Sequence, residues 1–374
     1  MAILFLLDEA QWRTLLLKDI PLLDVRAPIE FRKGSFPFSV NLPLLDNEQR
    51  EKVGKCYKER GQQAAIVLGY QLATPAIKQT RINSWLQFIQ QNPHGALYCA
   101  RGGLRSTITQ QWLAESGIDY PRIVGGYKTL RSCLLTYLER EDNYPSFIVL
   151  SGLSCVGKTL FLRQFSAHLD LEGIAKHRGS AFGTLNVEQP SQASFENALA
   201  VNLMQLKEKY RCPILVEDES HLIGRCALPK TLQRVMWQSS YIELTASIEE
   251  RIDNAFQDYI ENSPYPMELV VQHLMSALTR IKSRLGGMRY SLFSKMVKEG
   301  VAKLQRVNDG SLLRCVIKLM LTEYYDPMYY YHQQKYKRKP LFQGSAGEVR
   351  DWLMTHLQKE PRALNSSGKE LHIV

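Results

Sequence analysis

The stretch that constrains this chain most is the run SFIVLSGLSCVGKT at residues 146–159. Its first half is apolar and rich in β-favouring residues, which predicts a buried parallel strand. Its second half matches the pattern G-x-x-x-x-G-K-[ST], with Gly152, Gly157, Lys158 and Thr159 in the defining places. The glycines let backbone N–H groups converge, the lysine supplies a mobile positive charge, and the threonine hydroxyl can hold Mg²⁺. We therefore expect a phosphate or diphosphate at residues 152–159, hereafter the P-loop.

Length and cysteine usage bound the class of protein. A chain of 374 residues is too long for one typical core, so two or three domains are expected. No apolar run reaches about 18 residues, and the first residues carry no basic segment or cleavage site, which predicts a cytoplasmic protein without membrane association. The seven cysteines include no C-x-x-C pair, which argues against both a disulfide framework and a zinc site.

Positive charge is concentrated in one region. Residues 271–340 contain 14 Lys and Arg against 4 Asp and Glu, a net charge of +10 that equals that of the whole chain. A polyanionic partner is the natural reason for such a surplus, and interleaved tyrosines could stack on unpaired RNA bases. A solvated charged face over a tyrosine-rich core edge is the alternative. The candidate RNA-binding residues are Lys335, Lys337, Arg338, Lys339, Tyr329 and Tyr330.

A second chemical centre is expected at residues 99–106, CARGGLRS. A predicted strand at 95–99 delivers Cys99 to a loop with two adjacent glycines, and a helix is expected to begin near Ser106. Backbone N–H groups, the helix start and the charges of Arg101 and Arg105 would all favour the thiolate, so the cysteine should be nucleophilic. A buried, inert cysteine is the alternative.

Acidic residues follow another predicted strand, at residues 213–216. Glu217, Asp218 and Glu219 would lie where a P-loop domain needs a carboxylate for Mg²⁺ or water, although the sequence does not tell which one faces the phosphate. A solvated acidic loop is the alternative. Residues 177–183 could form a second wall of this site or an ordinary connection. In the polar segment 47–63, Gly54 and Gly61 are expected to break the helical turns.

The order of several N-terminal motifs resembles a rhodanese domain, the fold that carries sulfur or selenium on a cysteine. The motifs are DVR at 24–26, EF at 30–31, VNLP at 40–43, the cysteine loop, and IVGGY at 123–127. Five residues separate Cys99 from Arg105, so the loop is one residue longer than in ordinary rhodaneses. It also resembles the C-x₅-R loop of dual-specificity phosphatases, but Tyr98 replaces the expected histidine, which makes phosphatase chemistry the weaker interpretation.

A rhodanese domain followed by a P-loop domain is similar to one family, the bacterial tRNA 2-selenouridine synthases. Further stretches fit this resemblance, at residues 177–183, 189–192, 213–220 and 325–327. It implies an α/β fold with three parts. These are a rhodanese-like doubly wound domain at 1–140, a P-loop NTPase-like parallel-sheet domain at 146–255, and a helical, basic, tyrosine-rich region at 256–374.

The resemblance also implies the reaction, in which wobble 2-thiouridine in a tRNA anticodon loop becomes 2-selenouridine. Geranyl diphosphate first alkylates the sulfur, and selenophosphate then supplies selenium. Cys99, with Arg101 and Arg105, would carry selenium as a perselenide or otherwise assist the exchange. The P-loop would hold diphosphate or selenophosphate with Mg²⁺ on Thr159, and a selenophosphate-supplying enzyme would be a partner.

Two functions from other classes stay open at this point. The P-loop alone would also fit an ATP-dependent tRNA sulfurtransferase or kinase, which ATP hydrolysis or a phosphorylated product would reveal. A non-catalytic tRNA-binding or phosphate-sensing module would leave tRNA modification unchanged when Cys99 is replaced.

Overall fold

The computed structural model describes residues 6–180, 182–183, 187–263, 265–336 and 338–357, with the backbone alone for 332–336 and 357. The chain divides into two compact units. The first unit comprises Met1–Arg140 and Pro190–Gln205, and the second comprises Glu141–Gln189 and Leu206–Val374.

A five-stranded sheet forms the centre of the first unit. Its strands are β1 (Leu6–Leu7), β2 (Leu22–Asp24), β3 (Ser39–Asn41), β4 (Ala96–Tyr98) and β5 (Arg122–Ile123). They lie in the order β1-β5-β4-β2-β3, and every pair is parallel. Every residue of β2 and β4 is buried, as in a sheet covered on both faces.

Helices connect these strands and carry the core of the unit. They are α1 (Glu9–Leu17), α2 (Pro28–Lys33), α3 (Asn47–Leu72), α4 (Pro75–Gln91), α5 (Leu104–Glu115) and α6 (Gly126–Glu139). Trp85 of α4 and Leu113 of α5 pack with Leu97 of β4 in one cluster, and all three are fully buried.

The α3 segment is a helical hairpin. Gly61 has φ 81° and ψ −178°, which no helix contains and which a residue with a Cβ rarely adopts. The Gln49 side-chain amide donates to the Leu72 carbonyl at 3.4 Å, although a straight helix would hold these residues about 35 Å apart. The chain therefore reverses at Gly61, and residues 47–60 and 62–72 form the two arms of what we call the α3 hairpin. The predicted break at Gly61 is confirmed, whereas the predicted break at Gly54 is wrong, because that residue continues the first arm.

The DVR and IVGGY motifs form a buried polar contact at the strand ends. Arg26 pairs with Asp24 at 2.6 Å, and its guanidinium lies 3.9 Å from the centre of the Tyr127 ring. Both charged side chains are almost completely buried, so each needs the other to offset the cost of leaving water. These residues fix the sheet edge from which the Cys99 loop emerges.

A second parallel sheet carries the P-loop. Its strands are β6 (Phe147–Gly152), β7 (His168–Leu169), β8 (Ile214–Glu217), β11 (Ser240–Leu244) and β12 (Gln343–Gly344), in the order β12-β11-β6-β8-β7. All of its pairs are parallel. Strand β6 is central and buried throughout, which confirms the predicted buried parallel strand. Between β8 and β11 lies an antiparallel ribbon of β9 (Leu222–Ile223) and β10 (Cys226–Ala227).

Helices surround this sheet and continue beyond it. Around the sheet lie α7 (Lys158–Leu162), α8 (Leu171–Ala175), α10 (Lys230–Gln238) and α11 (Ile248–Phe256), whereas α9 (Gln192–Lys209) belongs mostly to the first unit. The chain continues through α12 (Met267–Leu285), α13 (Gly287–Val307), α14 (Ser311–Met320), α15 (Asp326–Tyr336) and α16 (Ala346–Leu357). Phe293 is the buried centre of the cluster that α12, α13 and α14 share.

The C-terminal region also completes the P-loop sheet. Strand β12 pairs with β11, and Val349 and Leu353 of α16 are buried against Leu150 of β6. The region that was expected to be helical therefore also contributes an edge strand and part of the sheet's core. Within the described ranges, no helix has the length and apolar content needed to cross a bilayer.

Candidate active sites

The P-loop forms a tight turn between β6 and α7. Cys155 at φ 62° and Gly157 at φ 89° give the loop its curvature. The Lys158 ammonium lies over the loop, donating to the carbonyl oxygens of Gly152 at 2.8 Å and Leu153 at 3.3 Å. Burial raises the pKa of the Cys155 thiol to about 11, so this cysteine stays protonated at neutral pH. The loop thus presents backbone N–H groups and one mobile cation to an anion.

Helix α11 braces the P-loop, which the sequence did not reveal. Arg251 donates to the Ser154 carbonyl at 2.9 Å, and Asn254 donates to the Cys155 carbonyl at 3.0 Å. Arg251 is itself held by Asp326 through two hydrogen bonds of 2.6 and 3.0 Å. Because a trans peptide points its N–H opposite to its carbonyl, the N–H of Cys155 faces away from α11. The DP dipeptide at 326–327, which resembled the family pattern, therefore supports the loop from behind.

Three glutamates converge beside the P-loop threonine. One carboxylate oxygen each of Glu172, Glu217 and Glu219 lies within 4.8 Å of the other two. The Thr159 hydroxyl donates to Glu172 at 3.1 Å. Glu217 is only 1% exposed, yet neither of its carboxylate oxygens has a hydrogen-bond partner among the residues that the structure describes. Asp218 does not join this cluster, because it accepts from the Ser151 hydroxyl at 2.8 Å.

This glutamate cluster fits a divalent cation. Carboxylate and hydroxyl oxygens are the ligands that Mg²⁺ prefers, and an unpartnered buried carboxylate is costly unless a cation or a proton neutralises it. Thr159, Glu172, Glu217 and Glu219 would hold the ion. The loop at 177–183 packs against the same cluster, since the Gly179 N–H donates to Glu172. Ala181 of that loop lies outside the described residues.

The cluster holds protons when no cation is bound. Burial, with the charge of Glu172 second, raises the pKa of Glu217 to about 7. Burial and the charges of Glu172 and Glu217 raise the pKa of Glu219 to about 8. At neutral pH these carboxyls are therefore partly protonated, and a cation must displace the protons to bind.

This gives a pH dependence with a definite sign. The unfolded chain releases these protons near the ordinary glutamate pKa, whereas the folded protein keeps them until about pH 7 to 8. Without a cation, the free energy of unfolding should thus fall as the pH rises from about 5 to 8, by up to roughly 1.4 kcal/mol per pH unit for each group. Mg²⁺ should raise the melting temperature more at pH 8 than at pH 6, as differential scanning fluorimetry with EDTA or Mg²⁺ would measure.

The matched control is the double variant Glu217→Gln with Glu219→Gln. It removes both titrating groups with little change in side-chain volume, so both the pH slope and the Mg²⁺ effect should flatten. An equal Mg²⁺ stabilisation at the two pH values in the unmodified protein would contradict this account of the cluster.

The Cys99 loop is closed tightly at the end of β4. The Cys99 sulfur lies 3.2 Å from the Ser106 hydroxyl, which also donates to the Gly103 carbonyl at 2.9 Å. The Tyr127 N–H donates to the Cys99 carbonyl at 2.8 Å, and a Cβ at Gly126 would collide with that same carbonyl. The hydroxyl of Ser106 can also turn toward the sulfur. This residue therefore places a hydrogen-bond donor beside Cys99 at the first turn of α5.

The two arginines of the loop differ in their surroundings. Arg105 forms a two-point ion pair with Glu30, one contact at 3.0 Å. Burial opposes the charged form of Glu30, but the hydrogen bond and charge of Arg105 outweigh it and lower the pKa of that carboxyl. Much of the charge that the sequence placed beside the sulfur is thus offset by a residue 75 positions away. Arg101 is exposed and lines the pocket described next.

Cys99 opens into a pocket of about 760 Å³ in the first unit. The Cys99 loop and α5 form one wall, and both arms of the α3 hairpin form the other. The apolar lining comes from Leu44, Leu45, Val53, Ala65, Ile66, Leu104, Ile108 and Trp112. The basic lining comes from Arg50, Lys55, Lys58, Arg81, Arg101 and Arg105.

Two features of this pocket have no explanation in the packing of the protein. Gly54 and Gly69 lie within the helical arms and line the pocket, yet a Cβ at either position would meet nothing within 4 Å. A glycine inside a helix costs about 1 kcal/mol relative to alanine. Within the described part of the chain, one buried guanidinium nitrogen of Arg81 has no hydrogen-bond partner, and burial lowers the pKa of this group. Both features are those of a site shaped for a ligand, with an anionic group near Arg81.

Comparison with known proteins decides the family. A family model described as "tRNA 2-selenouridine synthase AAA domain" matches residues 145–360, more than half of the chain. A Hahella chejuensis protein named tRNA 2-selenouridine synthase is 45% identical over 356 residues, covering 92% of this chain and 94% of its own. The chain belongs to the tRNA 2-selenouridine synthase family. The predicted resemblance to the tRNA 2-selenouridine synthases is thereby confirmed.

Other members of the tRNA 2-selenouridine synthase family match over a similar length. The Shewanella pealeana protein is 43% identical, covering 93% of this chain and 98% of its own length. The Pseudomonas fluorescens protein is 42% identical, covering 95% and 100%. The chain is thus an enzyme of the tRNA 2-selenouridine synthase type, and the non-catalytic alternative does not apply.

The C-terminal residues expected to contact RNA are of two kinds. The Tyr329 hydroxyl lies 3.1 Å from that of Ser151 and donates to Glu243 at 3.2 Å. The Arg338 guanidinium lies 4.9 Å from the centre of the Tyr241 ring. Tyr329 and Arg338 therefore contribute to packing within the second unit. Tyr330 is 49% exposed and Lys339 is exposed, and these two remain open to a partner. The side chain of Lys335 and the whole of Lys337 lie outside the described residues.

Proposed function

We propose that this chain converts wobble 2-thiouridine of tRNA to 2-selenouridine, using geranyl diphosphate and then selenophosphate. One observation carries the proposal. A member of the 2-selenouridine synthase family holds both a P-loop with a buried glutamate cluster and a loop cysteine that opens into an apolar and basic pocket. The first centre suits departure of a diphosphate, and the second suits sulfur or selenium chemistry at a nucleoside.

In the first step, the thiocarbonyl sulfur attacks C1 of geranyl diphosphate. The C–O bond breaks, diphosphate leaves, and the nucleoside loses its N3 proton, which gives S-geranyl-2-thiouridine. Lys158 and the P-loop N–H groups bind the departing diphosphate, and α11 fixes the loop backbone at Ser154 and Cys155 before the reaction. A magnesium ion on Thr159 and the glutamate cluster would supply Lewis-acid stabilisation of the leaving group.

The second step must respect the oxidation level of selenium. Selenophosphate carries selenium as selenide, whereas a perselenide on Cys99 lies two electrons higher and would require an oxidant. We therefore assign Cys99 a redox-neutral role. Its thiolate attacks the phosphorus of selenophosphate, an S–P bond forms, the Se–P bond breaks, and hydrogen selenide is released.

The released selenide completes the exchange. It adds to C2 of the alkylated nucleoside, the C–S bond breaks, and geranylthiol departs with the proton. Water then cleaves the phosphocysteine to phosphate and free Cys99. Ser106 and Arg101 support this route, the first as a hydroxyl beside the sulfur and the second as an exposed cation for the phosphate. We place this activity in the cytoplasm, with an enzyme that supplies selenophosphate as a partner.

Mass spectrometry of nucleosides tests the proposal. The purified chain is given an anticodon stem-loop RNA with wobble 2-thiouridine, Mg²⁺ and geranyl diphosphate, and then selenophosphate. We expect S-geranyl-2-thiouridine first and 2-selenouridine after the second addition. Failure to form either product, with RNA binding intact, would overturn the assignment.

A P-loop also fits ATP, so an ATP-dependent tRNA sulfurtransferase or kinase is the second candidate. The same incubation with ATP in place of geranyl diphosphate separates the two. RNA-stimulated release of ADP with a thiolated or phosphorylated product would favour this second candidate over the first.

Binding of tRNA to the basic region should depend on salt. Each Lys or Arg that neutralises a phosphate releases a counterion, so the joint Lys335, Lys337 and Lys339 to Ala variant should bind more weakly. The slope of log affinity against log salt should flatten by roughly 0.7 to 0.9 for each lost contact. Tyr330→Ala should instead lose about 1 to 3 kcal/mol with the slope unchanged, if its exposed ring stacks on a base.

Fluorescence anisotropy at several salt concentrations measures both effects. Tyr329→Phe is the matched control, since it removes only the hydroxyl that contacts Ser151 and Glu243 and should leave RNA affinity unchanged. Wild-type affinity and slope in the triple lysine variant would place the RNA on another surface.

A further inference from the structure

We propose that the pocket beside Cys99 holds the geranyl chain of S-geranyl-2-thiouridine during selenium exchange. This inference rests on the proposed function and assigns a site that the two-step reaction requires. The alkylated nucleoside must present C2 at the cysteine centre, and its large apolar substituent must lie somewhere close by. The observations that follow identify the place.

The apolar wall suits a branched hydrocarbon chain. Val53, Ala65 and Ile66 come from the α3 hairpin, and Ile108 and Trp112 come from α5. The volume of about 760 Å³ falls within the range of small-molecule sites. Cys99 lines the same pocket, so a chain seated here brings the carbon that bears its sulfur to the cysteine loop.

Two glycines of the α3 hairpin make the pocket wider than larger residues would. Gly54 and Gly69 line the pocket on opposite arms of the hairpin, and a Cβ at either position would meet no neighbouring atom of the described residues within 4 Å. Side chains there would occupy the pocket itself. Space for a ligand is therefore the physical reason for two helix-weakening residues on this wall.

The basic residues of the pocket would recognise the phosphate groups of the nucleotide. A wobble nucleotide carries phosphodiester groups on both sides of its sugar, and Arg50, Arg81 and Arg101 line the same pocket. Arg81 has a buried nitrogen without an acceptor in the described part of the chain. An apolar wall with cations around it matches an alkylated nucleotide better than a free hydrocarbon or a free phosphate.

The consequence is selectivity for the alkylated intermediate. Each buried methylene strengthens binding by roughly fourfold, so the geranyl chain distinguishes the intermediate from unmodified 2-thiouridine. When selenide adds at C2, geranylthiol is already seated in an apolar environment as it leaves. The pocket thus acts as the leaving-group site of the second step.

A chain-length series tests this inference with the full chain. Anticodon stem-loop RNAs carrying S-methyl, S-dimethylallyl or S-geranyl 2-thiouridine are titrated by fluorescence anisotropy against wild type, Gly54→Leu and Gln63→Leu. Affinity for wild type should rise along the series. In Gly54→Leu, whose Cβ would meet no neighbouring atom within 4 Å, the geranyl RNA should lose at least about tenfold in affinity and bind no better than the dimethylallyl RNA.

Gln63→Leu is the matched control. It adds the same side chain to an exposed position of the hairpin that does not line the pocket, so it should keep the wild-type profile. Ile66→Ala is a second variant. It removes apolar surface from the pocket wall without placing new atoms in the pocket, and it should also weaken binding of the geranyl RNA.

The outcomes separate this inference from the proposed function. A wild-type profile in both Gly54→Leu and Ile66→Ala, in protein that still converts geranylated RNA to 2-selenouridine, would overturn the pocket assignment alone. A wild-type protein that makes no 2-selenouridine from that RNA would overturn the proposed function, whatever the binding profile.

Discussion

Lys158→Ala should lower the rate of geranylation by roughly 10² to 10³, the usual loss when one preorganised electrostatic contact to a leaving group is removed. The ammonium now rests on the carbonyl oxygens of Gly152 and Leu153, at 2.8 and 3.3 Å. A bound diphosphate offers it charged oxygens within the same reach. Single-turnover formation of S-geranyl-2-thiouridine measures the rate, and calorimetric titration with diphosphate measures the lost affinity.

The fold should survive this substitution. Arg251 and Asn254 hold the loop carbonyls of Ser154 and Cys155 from α11, and neither contact involves Lys158. The melting temperature should therefore stay close to that of wild type. Lys230→Ala removes an exposed lysine from α10 and serves as the charge-matched control. An unchanged geranylation rate in Lys158→Ala would show that the diphosphate binds elsewhere.

Cys99→Ser should block selenium exchange and leave geranylation running, so that S-geranyl-2-thiouridine accumulates. A serine hydroxyl ionises far less readily than a thiol, and the contact with Ser106 at 3.2 Å cannot make up that difference. Loss of 2-selenouridine by about 10³ or more is expected, since the nucleophile itself is removed. Nucleoside mass spectrometry after each step gives the ratio of the two products.

Cys133→Ser is the matched control in the same unit, since that cysteine is half-buried on α6 and should be neutral for both products. Ser106→Ala should slow the exchange without stopping it, because it removes a supporting hydroxyl and keeps the nucleophile. If Cys99→Ser forms neither product while it still binds tRNA, the cysteine acts before selenium enters.

The sequence could indicate both candidate centres because each is encoded in one short segment. The P-loop and the Cys99 loop depend on glycines and charged residues that lie next to one another in the chain, and such local patterns are readable. Glu172 was missed because α8 has only five residues and no motif. It reaches Thr159 through the packing of the sheet, which no local pattern encodes.

Long-range pairing also explains where the expectations differ from the structure. Arg105 was expected to serve the sulfur, but Glu30 of α2 pairs with it across 75 positions. Tyr329 was expected to face RNA, but Ser151 and Glu243 engage its hydroxyl. Gly54 was expected to break a helix, but it continues the first arm of the hairpin. The sequence alone does not distinguish a glycine that ends a helix from one that leaves room for a ligand beside the helix.

The α3 hairpin leaves the body of the first unit and returns to almost the same point, where Gln49 meets Leu72. An element built in this way can be lengthened or shortened at its tip without shifting the strands that hold Cys99. Relatives could therefore change the reach of this wall through insertions near Gly61 while their chemistry stays fixed. The length of the hairpin would thus set the size of the S-alkyl group that the pocket accepts. Grafting the hairpin between relatives would exchange this size preference and leave the Cys99 loop unchanged.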